Sequence, residues 1–165
     1  GILNGTTNYI LTKMTEEGAS YEDVLKDAQE KGFAEKDPTA DVDGIDAANK
    51  LSILIALLFD KYIAPMDIPR CGIRHITQLD IGEAEMKGEK IKLIAHAVLK
   101  EDGTVKCSVK PEGIPKTHPL AGVSNEFNAV YVVGDMVGET MFYGKGAGAL
   151  PTGSAIVGDI LSLTR

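Results

Sequence analysis

Near Lys90 the apolar residues of this chain change their spacing, and no other feature restricts its fold as much. Beyond that point IKLIAHAVLK and TVKCSVKP read as two strands of a β-hairpin, joined across the turn at Glu101-Asp102-Gly103. AVYVVGD and ETMFYGK, around Gly134 to Gly138, are predicted to continue the sheet. Before Lys90 the spacing is helical: Val24, Leu25 and Ala28 form one stripe, and Leu51 to Phe59 is an almost wholly apolar run. Helices followed by strands indicate an α+β domain, a mainly antiparallel or mixed β-sheet with helices packed on one face.

Cap and turn residues divide the helical half. Gly1 to Leu3 reads as the end of a strand, after which Asn4-Gly5-Thr6-Thr7 offers turn chemistry and hydroxyl caps for a helix through Met14 that Gly18 ends. Ser20 followed by Asp23 resembles a capping box for a second helix, closed by Gly32. Asp43 and Gly44 introduce the long helix through Phe59, and Ile76 to Met86 forms a short one with Asp80, Glu83 and Glu85 on its solvated side. Pro151 opens a carboxy-terminal helix, Ser154 to Leu163.

A chain of 165 residues fits one domain, and its net charge of -7 argues against a nucleic-acid footprint, which needs clustered Lys and Arg. Leu51 to Phe59 is about half of the roughly 20 residues that a membrane span requires, so it is predicted to be a core helix. Cys71 and Cys107 lack close-pair spacing and fit a reducing cytoplasm better than a disulfide scaffold. His75, His96 and His118 have no Ser, Cys or Asp partner at a spacing that would mark a triad or a metal site.

The chemistry is concentrated elsewhere. Between Glu35 and Asp46 five carboxylates, Glu35, Asp37, Asp41, Asp43 and Asp46, stand against one basic residue. Like charges crowded this way usually have a cation to place among them: a metal, a lysine, or a substrate ammonium. A calcium loop fails on its first position, Thr39, and on its twelfth, Lys50, where a bidentate glutamate is needed. No histidine or cysteine between Ala28 and Lys50 offers zinc ligation. A solvated acidic loop ahead of a core helix accounts for the acids alone. It does not account for Asp46 and Lys50, which at i,i+4 share one face at the mouth of an apolar helix.

The pattern A-x3-G-F-A-E-x-D-P-x2-D-V-x-G-x-D-x3-K over Ala28 to Lys50, with GILNGTTNYIL at the start of the chain and GKGAGALPTGSAIVGD near its end, closely resembles homoserine dehydrogenase. The resemblance runs in order along essentially the whole chain. It implies the fold of that family's catalytic domain and an NAD(P)-dependent interconversion of L-aspartate 4-semialdehyde and L-homoserine, on the route to threonine, methionine and isoleucine. Lys50 would then be the proton donor in reduction and the base in its reverse. Asp46 would lie beside the substrate oxygen or orient the lysine, and Glu35 and Asp41 would hold the substrate ammonium. The turn carrying Gly5 and Thr6 would border the substrate, although a cap role for Thr6 reads equally well. Gly32 and Glu35 would border the cofactor, with Gly148 by its nicotinamide end.

Taken alone, Gly144-Lys145-Gly146-Ala147-Gly148 is a weak phosphate signal, being neither GxxxxGK[ST] nor a GxGxxG after a first strand. A glycine-rich turn from strand to helix explains it too, and Gly146 is assigned that part. The family's amino-terminal dinucleotide-binding domain has no counterpart in these residues. Residues 1–165 are therefore expected to be a substrate-binding and dimerisation domain, inactive in isolation, with no metal, nucleic acid or membrane as partner. The competing expectation is a non-catalytic amino-acid-binding regulatory or dimerisation module.

Overall fold

The computed structural model describes residues 1–164. Four helices lead, α1 (Gly5–Glu17), α2 (Tyr21–Glu30), the single turn α3 (Thr39–Val42) and α4 (Ile45–Phe59), with α5 (Gln78–Met86) after a connector. The strands β1 (Glu89–Leu99), β2 (Val105–Pro115), β3 (Phe127–Gly134) and β4 (Gly138–Lys145) follow, and α6 (Ala149–Ser162) comes last. The α+β class is as the spacing predicts.

Helix ends follow local chemistry, with differences from expectation. The cap of α1 is the Asn4 carboxamide, whose Oδ1 accepts from the Thr7 N–H at 2.8 Å, and not a hydroxyl; the helix runs past Met14 to Glu17 before Gly18 turns left-handed. Ser20 caps α2 through the Asp23 N–H, but the reciprocal half of the box is found instead at α5, where Thr77 and Asp80 satisfy each other's backbone N–H groups. At α4 the helix starts one residue after Gly44, whose φ of 76° is left-handed and admits glycine at least cost. The last helix begins at Ala149, five residues before Ser154, with Pro151 inside its first turn, where the missing N–H costs nothing.

The sheet is joined differently from the expectation that the second hairpin continues the first. β1 pairs only with β2, and β3 only with β4, both antiparallel. Between them lies the start of the chain: Gly1 exchanges backbone bonds with Ala95 of β1 at 2.7 and 3.0 Å, and Ile2 with Ala129 of β3 at 2.8 and 2.9 Å. The order across the layer is thus β2, β1, Gly1–Leu3, β3, β4. Residues 69–71 add a short parallel contact on the far edge, through Val109 of β2.

Alternation along β1 sends Ile91, Leu93 and Ala95 into the main core with Ile10, Leu11 and Met14 of α1, Ile55 of α4 and Val109 of β2. Ile94 joins Ile2, Leu120, Val123 and Ala129 in a second, smaller cluster. Two surfaces remain bare. No residue of α6 is buried, its Ile156, Val157, Ile160 and Leu161 each being more than half exposed. A groove of about 900 Å³ runs beside α4 and the strands, lined mainly by apolar residues such as Leu51, Leu58, Ile94 and Val130. Among the described residues no helix is long and apolar enough to cross a membrane.

Candidate active site

Gly44 reverses the chain between α3 and α4, so that Asp41 on the first and Asp46 on the second reach the same cleft. One turn along α4, the Lys50 ammonium donates to Asp46 Oδ2 at 2.7 Å and to the Leu3 carbonyl at 3.1 Å. Asn4 lies beneath them: its Nδ2 donates to Asp41 Oδ1 at 2.7 Å and to Asp46 Oδ2 at 2.9 Å. A lysine, two carboxylates and a carboxamide are thereby tied into one chain of charge-assisted bonds.

The cleft measures about 390 Å³. Its floor is Asn4, Asp41, Asp46 and Lys50; Lys31, Gly32 and Phe33 form one wall, and Glu126, Asn128 and Gly146 to Gly148 the other, with Gly5 and Thr6 between. Seven of the residues singled out in the sequence, Gly5, Thr6, Gly32, Asp41, Asp46, Lys50 and Gly148, line this one cleft. The larger apolar groove lacks any comparable acid and lysine pair, so the smaller cleft is the one equipped for proton transfer.

The other three carboxylates point elsewhere. Asp43 pairs with Arg74, and Asp37 accepts from the Thr39 hydroxyl and N–H, contacts that hold its pKa below the ordinary carboxylate value. Glu35 is exposed and its side chain does not line the cleft; its carbonyl accepts from Gln29 Nε2 at 3.0 Å. Acid crowding in the sequence is therefore shared among a cleft, a surface ion pair and a local turn.

Thr6 has a task that neither expectation contains. Its Oγ1 donates to the Phe33 carbonyl at 2.6 Å and fastens the Gly32 to Ala34 turn to the start of α1. A second tie holds the same turn, since the Tyr9 hydroxyl donates to Asp27 at 2.6 Å and accepts from Lys31 Nζ at 2.9 Å. Those partners, Tyr9 first and Asp27 next, raise the Lys31 pKa.

On the opposite wall the sequence marks Gly148 but gives no signal for Glu126 or Asn128. A Cβ on Gly5 would stand 2.6 Å from the Glu126 carbonyl oxygen, and one on Gly146 would stand 2.3 Å from Asn128 Nδ2, so both glycines serve close approach. Gly146 is thus more than a turn residue. Asn128 Oδ1 is buried without a hydrogen-bond partner among the described residues, a costly state that a bound donor would relieve. Gly32 and Gly148 put no side chain into the cleft mouth, and neither would-be Cβ meets polar atoms. Such bare backbone with an orphaned amide oxygen nearby fits the flat, carboxamide-bearing end of a nicotinamide cofactor. Among the described residues no cluster of three or more His, Cys, Asp or Glu could hold a metal ion.

A family model described as homoserine dehydrogenase matches residues 1–161. The homoserine dehydrogenase of Bacillus subtilis is 51% identical across 100% of this chain, and that of Synechocystis is 48% identical across 99% of it; in each the match covers 38% of the relative. Among solved structures, S. aureus homoserine dehydrogenase superposes with a TM-score of 0.94 at 52% identity, over 99% of this chain and 41% of that one. A hyperthermophilic archaeal homoserine dehydrogenase mutant in complex with NADPH gives a TM-score of 0.79 at 30% identity, over 99% and 46% of the two chains. The chain thus spans less than half the length of the relatives it matches.

Proposed function

The chain belongs to the homoserine dehydrogenase family, and from that premise we propose that it is the substrate-binding and dimerisation domain of an NAD(P)-dependent oxidoreductase that interconverts L-aspartate 4-semialdehyde and L-homoserine. The observation that carries this reading is the Lys50 ammonium, held by Asp46 at the floor of a cleft that Asp41 also lines. A nicotinamide cofactor supplies the hydride when bound, and the proton steps fall to this chain. In reduction the aldehyde oxygen gains negative charge and takes a proton from Lys50 Nζ. In oxidation the neutral amine of Lys50 takes the proton from the homoserine hydroxyl. Asp46 and the Leu3 carbonyl orient the lysine by occupying two of its donor directions.

Asp41 and Asp46 offer carboxylate oxygens to the substrate ammonium. Glu35, which follows the turn that Thr6 fastens, is assigned to the ammonium on the strength of the resemblance. Gly32, Glu35 and Gly148 are assigned to the cofactor, with Asn128 on the same wall as Gly148. The dinucleotide-binding domain is assigned to other residues of the same polypeptide, and the bare apolar face of α6 supports a docking role toward it. NAD and NADP are both compatible with this half of the site. The apolar groove along the sheet supports a homodimer. The reading carries with it a place in threonine, methionine and isoleucine synthesis in the cytoplasm. A purely amino-acid-binding module would use Asp41 but leave the Lys50–Asp46 pair without a task.

Homoserine-dependent reduction of the nicotinamide, followed by absorbance in the polypeptide that joins this chain to a dinucleotide-binding domain, tests the proposal. Turnover that disappears in a folded Lys50→Ala variant supports it, and unchanged turnover in that variant overturns it.

A further inference from the structure

Asn4 makes more bonds than a helix cap needs. Its Oδ1 accepts from the Thr7 N–H at 2.8 Å and the Thr7 hydroxyl at 3.0 Å, which determines the end of the carboxamide that carries nitrogen. A flipped amide would set nitrogen against an N–H and oxygen against two carboxylates. The NH2 group therefore faces Asp41 and Asp46, giving one hydrogen to each. Only 4% of Asn4 is exposed, so water has little room to take over these bonds. On Asp46 the accepting atom is Oδ2, the same oxygen that takes the Lys50 ammonium. Asp41 Oδ2 and Asp46 Oδ1 accept no hydrogen bond among the described residues and stay available to a ligand.

We propose that Asn4 is a positioning residue: its carboxamide spaces the Asp41 and Asp46 carboxylates so that two cations, the Lys50 ammonium and the ammonium of the substrate, each find a prepared oxygen. This rests on the reading of the cleft as a homoserine dehydrogenase site. Two neighbouring carboxylates repel, and in the absence of a shared donor they would turn apart or compete for Lys50. With the donor between them they hold a fixed separation before substrate arrives, which is preorganisation of the binding geometry.

Aspartate and serine both cap helices well but neither carries the NH2 group, so capping and positioning can be separated. In the complete enzyme, Asn4→Ser is expected to keep the melting temperature within a few degrees, whereas Asn4→Asp also sets a third carboxylate against Asp41 and Asp46 and is expected to lower it. Their kcat/KM for homoserine is expected to fall about 10²-fold, the scale of a small misplacement in an active site. KM for homoserine should rise and KM for the dinucleotide should not. In an Asp41→Ala background the loss caused by Asn4→Ser should shrink, because one of the two spaced groups is already gone. Near-normal homoserine kinetics in both folded variants, or full additivity with Asp41→Ala, would reduce Asn4 to a cap and overturn the proposal. Should Asn4→Asp fail to fold, the uncharged Asn4→Ser decides alone. If Lys50→Ala retains full turnover, the reading of the cleft falls and this inference with it; if Lys50→Ala is inactive while the Asn4 variants are normal, only this inference falls.

Discussion

Lys92 Nζ donates to Asn8 Oδ1 at 3.1 Å and to the Val123 carbonyl at 2.7 Å, in an interior where the lysine is 2% exposed. Asn8 in turn gives its Nδ2 to the carbonyls of Val123, Asn125 and Phe127, so the pair grips the segment that leads into the Glu126 and Asn128 wall. Desolvation, reinforced by Lys90 and opposed by Glu16, lowers the Lys92 pKa from 10.5 to about 8.

That shift has a definite sign in stability. Below pH 8 the lysine is charged in both folded and unfolded chains, and the folded protein bears the full cost of burying it. Between about 8 and 10.5 only the unfolded chain keeps the proton, so stability rises with pH across this window. The gain is on the order of 3 kcal/mol, at about 1.4 kcal/mol for each pKa unit. Urea denaturation of the wild type and Lys92→Met at several pH values should show the difference moving toward the wild type between pH 8 and 10.5. A difference that does not change with pH would contradict it.

Lys50 and Asp41 should separate kinetically. In the complete enzyme Lys50→Ala is expected to lower kcat by about 10²–10⁴-fold with a smaller change in KM, as loss of a general acid-base does. Asp41→Ala should raise KM for homoserine more than it lowers kcat, because an ammonium is held alike in ground and transition states. Steady-state kinetics on proteins with native circular dichroism check both.

Thr6→Val removes the hydroxyl bond to the Phe33 carbonyl while keeping the shape of the side chain. The expected loss is about 1 kcal/mol, felt chiefly in the turn around Gly32 to Ala34. Hydrogen exchange should speed up at those amides with little change in α4, and Thr6→Ser should restore protection. Uniform acceleration across the chain would point to a global effect instead.

The isolated chain is expected to self-associate through its bare sheet groove and to show no dehydrogenase activity. The groove of about 900 Å³ presents Leu58, Val130 and Val132 together. An apolar surface of this kind commonly marks an interface. Sedimentation that shows only monomer at high concentration would remove the groove from consideration. Cofactor binding by the isolated chain is expected to be weak as well, so tight NAD(P)H binding in calorimetry would contradict that part of the prediction.

Much of this architecture is local and could be read along the chain. β1 and β2 announce themselves because alternation and the Asp102-Gly103 turn act between near neighbours, and Lys50 meets Asp46 because i,i+4 contact is a property of any helix. The long motif likewise marks Asp41 and Gly32, both of which line the cleft.

Other features depend on residues that are distant in sequence. Asn4 reaches Asp41 and Asp46 across 37 and 42 positions, so only packing of α1 against α3 and α4 brings them together. Five neighbouring carboxylates look alike in a sequence, yet Asp43 turns to Arg74, 31 residues away, and leaves Asp41 for the cleft. Gly1–Leu3 reads as a strand end, but its place between the two hairpins is decided by Ala95 and Ala129, which present backbone groups on either side of it. Lys92 is a charged residue in an otherwise apolar strand, and nothing along the strand shows that Asn8 and the Val123 carbonyl enclose it. Burial and the direction of a side chain are set by what folds over it, and for these residues that partner lies far along the chain.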